Sequence, residues 1–117
     1  VEVVVSRRAS GLKAWLIQRF SAAYMAVFLL YCLIRFWNAP LSDYQSWHDW
    51  VAHPLANLFI GLFVLSLLLH AWVGIRDVIM DYVQPILFRV TLLALIALIL
   101  TGSGLWSLRM LFVTVTW

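Results

Sequence analysis

The chain has 117 residues, 65% of them hydrophobic and 11% charged, and a mean hydropathy of +0.98. A soluble domain carries roughly 45–50% apolar and about 25% charged residues, and one this small buries only part of its surface. The apolar excess therefore excludes a water-soluble globule and requires lipid as solvent, so the net charge of +3 reads as a topology signal and not as a nucleic-acid footprint.

Arg7, Arg8 and Lys13 precede the first apolar run, residues 15–37. That run is too long for the core of a secretory signal and ends in no small-residue cleavage site, which predicts a retained anchor. An apolar run at 55–75, within a span that extends to 83 (55–83), and one at 86–112 follow. Each exceeds the ~20 residues that cross ~30 Å of hydrocarbon. Within lipid every backbone polar group needs a partner, so segments of this length are helices. The prediction is a single all-α membrane domain over 1–117 with three transmembrane helices.

The first connection, NAPLSDYQSWHDWVAHP at 38–54, holds Asp and His but no Lys or Arg. The second is tight and ends at Pro85, a residue suited to a helix start; the second helix is expected to overrun the bilayer through Arg76–Val83. Arg7, Arg8, Lys13, Arg19, Arg76 and Arg89 lie on one side of the spans, Arg35 and Arg109 on the other. The positive-inside rule then predicts a cytoplasmic N-terminus and a periplasmic C-terminus. Cys32, the single cysteine, lies in an apolar run and reads as a small buried hydrophobe. The sequence TGSG at 101–104 suits close helix packing.

His70 sits deep in the second span, in VLSLLLHAWVGI. Ionisable groups at that depth face protein or a cavity and mark function by default. Ser66, Gly74, Asp77 and Asp81 fall on its helix face, within about 40°. Gly74, one turn on, would clear space for a flat macrocycle. Two roles suit His70 on the residues alone: an axial ligand to haem iron, or a histidine that hydrogen-bonds and packs a neighbouring helix. His48 and His53 belong to the connection and read as surface residues. From His53 to His70 is roughly 25 Å of helix, so a second histidine ligand would come from another chain. Met25 is a weaker internal alternative.

Asp81 and Tyr82 end the second span. A phenol there can donate to a quinone carbonyl, with a carboxylate beside it; equally, the pair suits an interfacial anchor with a solvated charge. Arg19, one turn inside the first span, either snorkels to the interface or pairs with a buried anion. Arg35 and Arg109 read as snorkelling residues at the opposite face. Phosphate loops, nucleophile elbows and metal-ligand spacings are missing from the sequence.

The stretch SLLLHAWVGIRDVIMDYVQP, residues 66–85, closely resembles the second helix of the hydrophobic anchor subunits of bacterial succinate dehydrogenases. His70, Ala71, Trp72, Gly74, Asp81, Tyr82 and Pro85 carry the match, and RFSA at 19–22 is a weaker one. The resemblance implies that His70 is one axial ligand of haem b, the other being a histidine of a companion anchor subunit. It implies that Tyr82, supported by Asp81, helps bind ubiquinone at the cytoplasmic interface, and that Arg19 faces a haem propionate. Electrons would arrive from an iron–sulfur subunit, itself served by a flavoprotein that oxidises succinate, in a bacterial inner membrane. This chain would not touch succinate. The competing readings are a fumarate reductase anchor running the reverse reaction, and a structural or assembly subunit of another respiratory complex with no haem role. A small transporter is disfavoured, because internal repeats are lacking.

Overall fold

A computed structural model describes the backbone of residues 2–116 and the side chains of residues 11–116. The side chains of Arg7 and Arg8, two of the charges that predict orientation, lie outside the described residues. Among these described residues four helices follow one another: α1 (Glu2–Asn38), α2 (Tyr44–Ala52), α3 (Pro54–Tyr82) and α4 (Ile86–Thr114). Three of them contain segments long and apolar enough to cross a membrane: Gly11–Asn38, Pro54–Tyr82 and Ile86–Thr114. The expected spans are present, with bounds shifted by a few residues. At 1.5 Å per residue the 37 residues of α1 reach about 55 Å, which matches the 55 Å long axis of the molecule.

Helix α2 is the element that hydropathy misses. Its N-cap is Asp43, whose carboxylate accepts from the Ser46 amide at 2.9 Å and also from the Ser46 hydroxyl. Trp47 and Trp50 on α2 close on Phe36 of α1 with ring centroids 5.3 and 5.1 Å away. His53 then does two jobs. Its amide donates to Asp49 O at 3.1 Å to finish α2, and its Nδ1 accepts from the Leu55 amide at 3.2 Å to start α3. It is exposed, as expected of a surface histidine, while His48 is half-buried. Pro54, lacking an N–H, occupies the first turn of α3, where no intrahelical donor is needed.

The short turn between α3 and α4 is held by Arg89. Its guanidinium donates to the carbonyls of Val83 (3.0 Å) and Met80 (3.2 Å), two acceptors at a helix end that has no intrahelical donors for them. Arg89 therefore has a structural role beyond its share of the positive charge.

Helix α3 is central. It packs against both α1 and α4, while the backbones of α1 and α4 stay more than 8 Å apart among the described residues. The accessible surface is 8956 Å², against about 6,500 Å² for a globular protein of 13.5 kDa. Only Phe28, Ala52, Val73, Ile79 and Leu111 form a buried apolar core among the described residues. Leucines and phenylalanines instead cover the outside, as a lipid solvent demands. Cys32 is half-buried and not, as expected, buried.

Candidate functional site

The α1–α3 seam is lined on the α1 side by the small residues Gly11, Ala14 and Ala22, on one helical face with Gln18. Small side chains on one face bring two helix backbones close. Between them lies a cleft of about 530 Å³ lined by His70 together with Trp15, Arg19, Arg76 and Asp77. The structure thus brings His70 and Arg19, 51 positions apart in the chain, to one cavity.

Nδ1 of His70 lies 3.2 Å from the hydroxyl oxygen of Ser21 on α1. Ser21 is 7% exposed and is the one buried polar residue among the described residues. Its hydroxyl also donates to the Gln18 carbonyl, at 3.2 Å. No hydrogen bond to Nε2 of His70 forms among the described residues. Gln18 Oε1, in the same seam, is buried without a hydrogen-bond partner.

The cleft is cationic. Arg19 stacks its guanidinium 5.7 Å from the Trp15 ring centroid, a cation–π contact that keeps it at the cleft mouth. Arg76 pairs with Asp77 at 3.2 Å, a solvent-exposed pair of the kind that contributes at most about 1 kcal/mol. Two guanidiniums against one carboxylate leave a net positive charge, which favours an anionic ligand group.

The other members of the expected polar stripe lie beside this cleft or away from it. A Cβ at Gly74 would meet Gln18 Nε2 of α1 at 3.6 Å, an ordinary contact distance, so the glycine lies beside the α1 glutamine. Ser66 lines a separate cavity on the other side of Ser21, with Phe20 and Leu69. Met25, the weak internal alternative for a second ligand, is not part of the His70 cleft. Asp81 and Tyr82 stand clear of it as well, at the end of α3. Tyr82 is 80% exposed, and its hydroxyl has no partner among the described residues. The Asp81 carbonyl accepts from Gln84 Nε2 at 3.4 Å, leaving the carboxylate exposed. Ser21, Gln18 and Trp15 belong to the site although the sequence does not single them out. RFSA draws attention through Arg19, and nothing local signals that the serine beside it meets a histidine on another helix.

A haem fits this donor set. Porphyrin supplies four nitrogens to iron, so the protein need offer only axial ligands. The absence of any group of three or more His, Cys, Asp or Glu side chains among the described residues therefore bears on bare metal ions only. One histidine ring in a cleft beside two guanidiniums matches one axial ligand and acidic substituents.

Three apolar spans, a sparse core and a polar cleft between two of the helices define a multi-pass helical membrane protein. A family model described as succinate dehydrogenase/fumarate reductase transmembrane subunit matches residues 4–106. The chain is also 29% identical over 108 residues to the succinate dehydrogenase hydrophobic membrane anchor subunit of Coxiella burnetii (strain RSA 493 / Nine Mile phase I), covering 92% of each chain. It belongs to the succinate dehydrogenase/fumarate reductase transmembrane subunit family and is a membrane anchor subunit of such an oxidoreductase complex.

Proposed function

We propose that this anchor supplies one axial ligand, His70, to a haem b shared with a companion anchor subunit, and part of a ubiquinone site at Tyr82 and Asp81. The observation that carries the reading is the α1–α3 cleft, where a histidine held through Nδ1 lies beside Arg19 and Arg76. Bound there, haem would supply a one-electron store between an iron–sulfur subunit and quinone. The protein's own part is to orient the imidazole, offer cations to the propionates and keep lipid from the ring. Arg19 is the propionate partner that the resemblance suggests, and its position beside His70 supports that role over simple snorkelling.

Tyr82 supports a quinone role through its free hydroxyl at the end of a membrane-spanning helix, with Asp81 adjacent to hold or pass a proton. So exposed a residue makes half a site, with the rest supplied by the iron–sulfur protein and the second anchor. Flavoprotein, iron–sulfur protein and second anchor then complete a succinate:ubiquinone oxidoreductase in a bacterial inner membrane. The N-terminus and the α3–α4 turn face the cytoplasm, the side that the arginine distribution favours.

A reduced-minus-oxidised optical spectrum of the detergent-purified complex, isolated through a tag on this chain, tests the reading. A b-type haem band is expected. Partner subunits without haem would reduce His70 to a packing residue, and the chain would remain an anchor only.

A further inference from the structure

We infer that Ser21 is a positioning residue that sets the tautomer of His70, so that Nε2 presents its lone pair for ligation. The inference rests on the haem reading above and deepens it. A neutral imidazole carries one proton, and the nitrogen that holds it cannot bind a metal. The Ser21 hydroxyl also has a single proton, and the Gln18 carbonyl, 3.2 Å away and three residues earlier, accepts it. Oγ therefore turns a lone pair toward Nδ1 of His70, also at 3.2 Å. The complementary arrangement is Nδ1–H donating to Oγ, with Nε2 unprotonated.

Burial makes this relay matter. Ser21 is 7% exposed, so water does not compete for its hydroxyl. A ligating histidine anchored through its other nitrogen is held in ring orientation and made a stronger donor. The chain Gln18 carbonyl–Ser21 hydroxyl–His70 imidazole does this with one helix turn of α1 and no charged group. The stronger donor favours ferric iron, so removing the hydroxyl should raise the haem midpoint potential.

Four variants of the intact, purified complex test this by redox titration, by the low-spin ferric resonance spectrum and by haem retention. Ser21→Ala is expected to raise the potential, shift the ferric spectrum and weaken haem binding by about 10–100-fold, the usual effect of losing such a partner. Ser21→Thr keeps the hydroxyl and should restore wild-type values. Ser21→Val has the shape of threonine without the hydroxyl and should behave as the alanine variant. If Ser21→Ala fails to assemble, the Thr and Val variants still isolate the hydroxyl at constant shape. Identical potentials and spectra for Thr and Val, in complexes whose haem is lost with His70→Ala, would overturn the tautomer role and leave the ligand role standing. A His70→Ala complex with unchanged haem would overturn both.

Discussion

Nδ1 of His70 and Oγ of Ser21 lie 3.2 Å apart, which commits one edge of the imidazole to α1 and leaves the other without a partner among the described residues. A packing histidine and a ligating histidine diverge at this point. His70→Ala removes an iron ligand, so the loss of haem affinity should exceed the ~10–100-fold typical of an outer partner. Haem content and the reduced-minus-oxidised spectrum of the complex check it. A spectrum identical to wild type would leave His70 as packing.

Tyr82 is 80% exposed at the last position of α3, so Tyr82→Phe should leave the fold untouched. Losing one neutral hydrogen bond of about 0.5–1.5 kcal/mol predicts quinone reduction slowed about two- to thirteenfold. Succinate-dependent reduction of an artificial dye, which bypasses the quinone, should stay constant. An equal fall in both rates would contradict a quinone role.

Much of this architecture is legible in the sequence, because membrane burial is written along the chain as hydropathy. The three spans, the tight turn before α4 and the depth of His70 within a span all follow from that one property. Helix α2 is missed for a matching reason: nine residues of mixed polarity give too short a signal, and Phe36 on α1 helps hold them. The helical wheel places Gly74 and Asp77 on the His70 face correctly. It cannot say what stands opposite, and Gln18 of α1 is the residue that lies beside Gly74. Ser21 escapes for the same reason, since a contact spanning 49 positions leaves no local trace. TGSG at 101–104 is legible only as a cluster; its two glycines have different surroundings.

Those glycines give a paired prediction. A Cβ at Gly104 would lie 2.7 Å from Leu68 Cδ1, whereas one at Gly102 meets nothing within 4 Å. Gly104→Ala forces the end of the Leu68 side chain aside, and because that end is flexible the cost is modest, about 0.5–1.5 kcal/mol. Gly102→Ala should be neutral or stabilising, by up to about 1 kcal/mol. Thermal unfolding in detergent separates them, and adding Leu68→Ala should rescue Gly104→Ala alone.

Asp43 caps α2 outside the spans, and the hydrogen bonds from the Ser46 side chain and amide hold its carboxyl below the usual carboxylate range. A lowered folded-state pKa contributes stability above the unfolded value of about 3.9 that is lost as pH falls through the folded value. The α2 segment should therefore loosen below about pH 4, seen as a change in Trp47 and Trp50 fluorescence. Asp43→Asn keeps an acceptor at the cap but cannot ionise, so it should flatten this acid transition. An acid transition unchanged in the Asn variant would assign it to another group.

Asn57 ties the same end of the molecule together. From the first turns of α3, its Nδ2 donates to Val51 O on α2 at 3.0 Å and to Leu111 O near the end of α4 at 2.9 Å. Thr116 adds a second strap by donating its amide to Ala52 O at 2.9 Å. With the backbones of α1 and α4 well separated among the described residues, these bonds help fix where α4 ends relative to α2. Asn57→Leu deletes both donors from a half-buried site and should destabilise by about 1–3 kcal/mol. Asn57→Asp preserves the shape but aims acceptor oxygens at two carbonyls, so it should be worse than leucine. The thermal midpoint of the purified complex should rank wild type, Leu, Asp in falling order, with dye reduction by succinate unaffected. An Asp variant as stable as wild type would mean that neither carbonyl depends on Asn57.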